Sequence, residues 1–473
     1  MNSQIHCNTT QRRLLADVLT PVGIYLRLRD QFPGSILLES NEYGNRHNSL
    51  SFICCEVVGE FKVQDGVITS QHPGREVSIS SITDHDTMLK QLREYAAAYP
   101  QGESRGHPVN GLFGHMNYDS VPYVEQITLN REKPGAGLAD LHYRAYGFVI
   151  VFDHYHDTIY VYHHDYGQQG MSLDGLVGLI EHRDVAQYPF GLVGEESSDQ
   201  TDAQYEQNVV DCIAHCQRGD VFQIVPSRQF TQPYHGDEFQ VYRQLRTVNP
   251  SPYLFYFDYG EYSIFGSSPE AQLIVTQDRA TIQPIAGTYK RTGNTEADIA
   301  AAAELKKDPK ETAEHVMLVD LARNDLSRHA RNVRQTASQE IHMYSHVIHM
   351  VSTVQGDLAT EEDRWAMIGD TFPAGTLTGA PKHNAMQLID TYEPTQRGFY
   401  GGAIGILGLD GTYNHAILIR SFLARNNELT YRAGAGVVVH SSPASERQEV
   451  DNKIGALRRA LQQTHSYCNP SQS

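Results

Sequence analysis

Between Asp202 and Gln217, Tyr205, Val209, Cys212, Ile213 and Cys216 recur at three- and four-residue intervals and form one apolar stripe. That spacing predicts an amphipathic helix, ended by a Gly219-Asp220 turn. The run VFQIVPSRQF that follows is apolar on both faces and predicts a buried strand, with Gln223 sharing a face with Val221 and Val225. A buried glutamine needs partners, and neighbouring backbone supplies them as well as a ligand does. Further on, Asp308-Pro309-Lys310-Glu311 offers an N-cap, an N1 proline and an N3 carboxylate, so a helix is predicted through Ala322. From Tyr400 to Val439 the pattern turns to strands around Asp410-Gly411 and Asn426-Asn427, both suited to hairpin turns. A closing helix is predicted from Glu446 to about Gln462.

Strand-like runs also mark the first part, at Ser35–Ser40, Tyr146–Phe152 and Tyr160–His163. The polar, acidic segment Gly194 to Ala203 is the one stretch that reads as a linker. The expected organisation is an N-terminal half over 1–193, this segment, a catalytic half over 204–465 and a tail over 466–473.

Two ExxE units, Glu311/Glu314 and Glu446/Glu449, stand near the starts of predicted helices, and three-residue spacing puts each pair on one face. The face continues as Leu318 and Leu321 in the first helix and as Val450, Lys453, Ile454 and Leu457 in the second, so the carboxylates lie on core-facing stripes. Burial of unpaired carboxylates costs several kcal/mol each, which calls for protonation, hydrogen bonds or a cation. Mg²⁺ suits one or two such carboxylates completed by water and an anionic ligand. Complementing the helix dipole is the other reading, and for Glu311 capping alone suffices.

Arg420 falls within the apolar AILIRSFL run, where an arginine needs an anion, and its planar guanidinium matches a carboxylate. Two-residue turns would set it opposite Gly401 on one side and Ala433 on the other, with a bulge at Gly401-Gly402 bringing Tyr400 onto the same face. Ala433-Gly434-Ala435-Gly436 lacks side-chain bulk and permits either close ligand approach or tight sheet packing. Two glycine-containing loops, 284–288 and 373–382, add hydroxyls and amides, and neither is a Walker A loop.

Composition narrows the classes. The 473 residues carry 38 basic and 56 acidic side chains, a net charge of −18 that disfavours a nucleic-acid surface. No apolar run reaches the roughly 18 residues of a membrane span, and the N-terminus has no secretory leader pattern. The six scattered cysteines fit a reducing cytoplasm, and Cys212 and Cys216 lack a second pair to complete a metal site.

Taken together, GDVFQIVPSRQF (219–230), NPSPYLF (249–255), SPE (268–270), PIAGT (284–288), DPKETAEHVMLVDLARND (308–325), HMVS (349–352), FPAGTLTGAPK (372–382), YGGAIG (400–405), ILIRS (417–421), AGAGVV (433–438) and SERQEVDNK (445–453) resemble the chorismate-utilising enzymes, most closely their anthranilate synthase component I branch. The N-terminal landmarks are fewer, at 37–40 and 114–119. The resemblance implies an α+β fold of two large antiparallel sheets packed as a sandwich with surrounding helices. It also implies Mg²⁺ on Glu314 and Glu449 with Glu311 and Glu446 nearby, and an enolpyruvyl carboxylate bound by Tyr400 and Arg420 with the Ala433, Gly434 and Gly436 backbone. Gly287, Thr288, Thr376 and Lys453 complete the substrate pocket. Ammonia would add at C2 as the C4 hydroxyl leaves, with Glu270 as general acid, and His349 would assist the loss of pyruvate. Without the family, His349 reads as an ordinary core histidine.

Two positions separate relatives. Isochorismate and salicylate synthases carry a lysine base where Gln223 stands, and aminodeoxychorismate synthase carries a nucleophilic lysine where this chain has Ala286. The expected product is therefore anthranilate, first intermediate of tryptophan biosynthesis. A 2-amino-2-deoxyisochorismate synthase, an aminodeoxychorismate synthase and an inactive regulatory paralogue are the alternatives. Departures from the family are Tyr289 to Gly293 in place of RPRG, Thr378 for a common serine, and Leu254 for a methionine. Leu38, Glu39, Ser40, Pro252, Tyr253, Leu254 and Phe255 resemble a tryptophan feedback site, or simply pack the core. No cysteine lies in a GxCxGxQ context, so ammonia is expected from a separate glutamine amidotransferase subunit in a hetero-oligomer.

Overall fold

Two long strands, Leu50–Gln64 and Leu141–Asp153, organise the computed structural model, which describes residues 4–40, 49–101, 107–343 and 347–469 apart from the side chains of Thr288, Lys290 and Lys310. They pair antiparallel along their length, with a register shift between Val57 and Gly59. Glu56 there adopts a positive φ of 63°. Such a bulge bends the strand that carries it, and the strands that pair on either side of it fall into two limbs.

On one side of the bend, pairing runs outward from Leu50–Gln64 through Ile36–Ser40, Tyr253–Asp258, Ser263–Ser268, Ser421–Arg425 and Glu428–Gly434 to Ser227–Gly236. On the other, Leu141–Asp153 leads through Gly111–Met116, Ala403–Gly408, Tyr413–Ile417, Ala271–Thr276 and Arg279–Ile282 to Val347–Asp357. The two expected sheets are thus limbs of one continuous antiparallel network. Phe255, Ile264 and Leu423 of the first limb pack against Phe113, Ile404 and Ala416 of the second. Helices bury the outer faces: Tyr242 and Leu245 of Phe239–Val248 and Ile454 and Leu457 of Pro443–Cys468 cover the first limb. Val319 and Leu326 of Pro309–Ser327 and Met367 of Glu361–Asp370 cover the second. Each such buried side chain contributes roughly 1.5–3 kcal/mol of transfer free energy.

Both limbs draw strands from either side of the polar 194–203 segment. Within that segment Ser197 and Ser198 pair with Thr231 and Phe230, and Thr201 forms a capping box with Gln204 at the start of the helix Asp202–Arg218. Its polarity reflects hydrogen bonding along an edge, as where Asp199 accepts from the Gln229 amide at 2.9 Å.

Several local expectations need correction. The Asn426-Asn427 turn forms as expected, with both residues at positive φ and Arg425 opposite Glu428. The Asp410-Gly411 turn is longer, closed by Leu407 and Tyr413, because Asp410 accepts from the Thr412 amide and hydroxyl. The register therefore moves by one, and Arg420 does not lie opposite Gly401. The strand ends at Ile417, Gly401 donates to the Leu418 carbonyl, and Arg420 itself takes φ 52°. VFQIVPSRQF is broken at Pro226 into Gln223–Ile224 and Ser227–Gly236, since proline cannot continue the ladder. The expected 284–288 loop is part of a strand, Ile285–Lys290, and residues 375–378 form a short helix. The closing helix is longer than expected, Pro443–Cys468. No helix among the described residues is long and apolar enough to cross a membrane.

Candidate functional site

A cavity of about 1200 Å³ opens where the helices Pro309–Ser327 and Pro443–Cys468 face strands of both limbs. The first helix begins as expected, with Asp308 accepting from the Glu311 amide at 3.2 Å. That start turns Glu311, Glu314 and Leu318 to the cavity wall. Glu314 Oε1 accepts a hydrogen bond from Gln223 Nε2 at 3.2 Å. Gly436 lies against this pair: a Cβ there would sit 2.4 Å from Gln223 Nε2, so close backbone approach is the reason for glycine.

The second helix separates its two glutamates. Glu446 is buried and absent from the cavity wall, whereas Glu449 is on the wall with its side chain 47% exposed, 2.7 Å from Lys453 Nζ. The predicted stripe is thus core-facing at Glu446 and cavity-facing at Glu449. Lys453 also donates to the Gly434 carbonyl at 2.8 Å, fixing the strand end that carries Ala433 and Gly434 along the same wall.

Glu270 is buried, and Thr376 donates its hydroxyl to Oε1 at 3.2 Å. Burial raises its pKa to about 8, opposed by Thr376 and by the charge of Lys453. The carboxyl therefore holds its proton at neutral pH. His349 is buried with Nδ1 3.1 Å from the Gly287 carbonyl, which fixes the proton on Nδ1 because the carbonyl only accepts. Burial lowers its pKa to about 4, so it is neutral, with Nε2 as the basic nitrogen. Gly287 has φ 72° at the register shift between Ala286 and Thr288, and a Cβ there would crowd Leu305 and Glu311. The Thr288 side chain lies outside the described residues.

Tyr400 and Arg420 stand on the same wall. Burial pushes the Tyr400 hydroxyl up to about 12, and burial also lowers the Arg420 pKa. The Arg420 side chain makes no ion pair with a described residue.

Sequence reading missed the support behind this wall. Glu393 accepts from the Ser227 amide and hydroxyl at 2.7 Å, from Arg397 Nη2 at 2.7 Å and from Arg432 Nη1 at 3.0 Å. Arg397 also donates to the carbonyls of Leu377 and Val225 and lies 5.6 Å from the Tyr400 ring centre. Burial opposes the Glu393 charge, yet Arg397 and Arg432 hold its carboxyl below the usual range. The i, i+4 spacing of Glu393 and Arg397 was the available signal, indistinguishable in sequence from a surface pair.

Leu38, Glu39 and Ser40 pair directly with Phe255, Leu254 and Tyr253, beside buried Pro252. None of these lines the large cavity. Tyr242 donates to Glu39 Oε2 at 2.6 Å and Arg246 to Oε1 at 2.8 Å, two partners that sequence reading missed. Burial raises the Glu39 pKa against the pull of Arg246.

Among the described residues no three carboxylate, imidazole or thiol groups converge as a metal cage. Glu314 and Glu449 nevertheless present oxygen donors to one open cavity from two helices, a set that fits Mg²⁺ completed by water and ligand.

The cavity thus brings together a protonated carboxyl, a neutral imidazole, an arginine that makes no ion pair with a described residue, and two glutamates with oxygens free to take a cation. Residues 43–459 match the chorismate binding enzyme family, and the chain belongs to it as an enzyme of the chorismate-utilising class. It is similar to anthranilate synthase component 1 of Acinetobacter calcoaceticus, 35% identical over 95% of this chain and 94% of the relative. It is also similar to that of Thermus thermophilus, 34% identical over 96% and 97%. The crystal structure of anthranilate synthase component I from Streptococcus pneumoniae superposes with a TM-score of 0.73 at 31% identity, over 94% of this chain and 99% of that one. The menaquinone-specific isochorismate synthase of Escherichia coli shares the fold, with a TM-score of 0.73 at 17% identity over 97% and 95%.

Proposed function

We propose that the chain converts chorismate and ammonia to anthranilate, pyruvate and water as the first committed step of tryptophan biosynthesis. The observation that carries this reading is the pairing, in one cavity, of Glu270 with its proton at neutral pH and a neutral His349 whose Nδ1–H is held by the Gly287 carbonyl, leaving Nε2 unprotonated. Arg420 and Tyr400 bind the enolpyruvyl carboxylate, supported by the Ala433, Gly434 and Gly436 backbone, with Gly287, Thr288 and Lys453 about the ring. Glu270, held by Thr376, protonates the C4 hydroxyl as ammonia adds at C2. His349 Nε2 then takes the C2 proton as pyruvate leaves and the ring becomes aromatic. Glu314 and Glu449 would hold Mg²⁺, with Glu311 beside them and Glu446 behind. Bound there, the ion neutralises and orients the ring carboxylate.

Gln223 has no basic nitrogen to activate water, and Ala286 offers no amine to redirect addition to C4; both support amination at C2. Ammonia is supplied by a separate glutamine amidotransferase subunit. Feedback by L-tryptophan at the Glu39–Leu254 strand pair has a physical route, since the helix Phe239–Val248 places Tyr242 and Arg246 on Glu39 and Thr247 and Val248 on the cavity wall. Six unpaired cysteines agree with a cytoplasmic location. The reading is tested by incubating purified protein with chorismate, Mg²⁺ and ammonium salt and following anthranilate fluorescence. An aminated, non-aromatic product would select the 2-amino-2-deoxyisochorismate alternative, and no turnover would return the chain to an inactive paralogue.

A further inference from the structure

Among the described residues, five cations stand on the cavity wall: Arg291, Arg420, Arg432, Lys453 and Arg459. Three are neutralised within the protein, Arg291 by Asp298 at 2.9 Å, Arg432 by Glu393 at 3.0 Å and Lys453 by Glu449 at 2.7 Å. Arg420 and Arg459 make no ion pair with a described residue, and at Arg420 the charge of Glu449 is favourable while that of Arg459 is opposed. With Glu449 already paired to Lys453, two like charges on one cavity wall are better balanced when an anion binds in the cavity.

The proposed chemistry uses Arg420 but leaves Arg459 without a role. Arg459 continues the face of the Pro443–Cys468 helix that begins with Glu449 and Lys453 and passes Ala456, all on the wall, so it lies further along the same cavity. It is exposed, whereas Arg420 is half-buried, which sets Arg459 toward solvent. A chain of net charge −18 repels a dianion at long range, and the wall itself carries Glu311, Glu314 and Glu449. A cation whose charge is not already cancelled can reverse that field locally and raise the rate of productive encounter.

We propose that Arg459 forms an outer anion-binding subsite, which captures one carboxylate of the incoming dicarboxylate and passes it inward toward Arg420. The proposal rests on chorismate as substrate. It adds a binding step to that reading and no new chemical step.

The test compares the full chain with Arg459→Gln and Arg459→Glu, both at an exposed position where folding is retained and checked by circular dichroism. At about 20 mM ionic strength, kcat/KM for chorismate should fall about five-fold in the first and about twenty-fold in the second, the loss residing in KM, and the gap should close near 300 mM as screening shortens the field. Calorimetric titration of chorismate with Mg²⁺ removed by chelator should show the same order of affinities without turnover. Unchanged constants, a loss independent of salt, or a loss confined to kcat would overturn the subsite. Turnover by the parent with no difference at Arg459 overturns the subsite and leaves the substrate reading intact. Salt-dependent binding differences without turnover do the reverse.

Discussion

Thr376 donates its hydroxyl to Glu270 Oε1 at 3.2 Å, and this bond opposes burial in setting where Glu270 gives up its proton. A general acid acts only while protonated, so turnover should decline as pH rises through about 8. Thr376→Val removes a donor that favours the ionised form. The alkaline limb of the pH–kcat profile should therefore move upward, with kcat at neutral pH reduced about ten-fold through lost positioning. A limb that stays in place or moves down contradicts the assignment.

Glu270→Gln should abolish turnover and stabilise the fold in alkali. The folded pKa of about 8 lies above the ordinary value of 4.5, so the wild-type protein loses stability as pH climbs between those values. At roughly 1.4 kcal/mol per unit, the loss is on the order of 5 kcal/mol above the folded pKa, and the glutamine variant escapes it. Urea unfolding at pH 9 should favour the variant, while at pH 4 this difference vanishes.

Gln223 and Gly436 act on Glu314 together, because the glycine leaves room for the amide that donates to the carboxylate. Gly436→Ala should displace the amide and weaken Mg²⁺ binding about ten-fold, in line with losses seen when the partners of a metal ligand are removed. Mn²⁺ binding followed by electron paramagnetic resonance checks this without turnover. Unchanged affinity would remove Glu314 from the ligand set.

Glu393→Gln tests the support behind Tyr400. It leaves buried Arg397 without a carboxylate and Arg432 with Asp199 alone at 3.5 Å, and breaking a buried pair in this way typically costs about 3–5 kcal/mol. Chemical denaturation should show that loss, and kcat should fall with it because Arg397 holds the carbonyls of Leu377 and Val225, both on the cavity wall.

Much of this was legible in sequence where one residue type answers to one local rule. The capped start at Asp308 and the paired glycine-rich strand announced themselves through spacing, and Asn426-Asn427 formed the turn its residues favour. The register at Arg420 was not legible, because it depends on Asp410 lengthening a turn and on a positive φ at Arg420 itself. Helix periodicity placed Glu446 and Glu449 on one face, but only packing shows that one faces the core and the other the cavity. Arg432 and Glu393 are far apart in sequence, so no local pattern announces their 3.0 Å contact.

We propose that this cavity aminates chorismate at C2 and then completes the aromatisation. The most direct test is the ratio of pyruvate released to anthranilate formed by the purified chain given chorismate, Mg²⁺ and ammonium salt. The predicted ratio is one to one, with both products lost together in Glu270→Gln and an aminated, pyruvate-retaining compound accumulating in His349→Ala. Chorismate consumed without anthranilate, or pyruvate released with a para-aminated product, would contradict it.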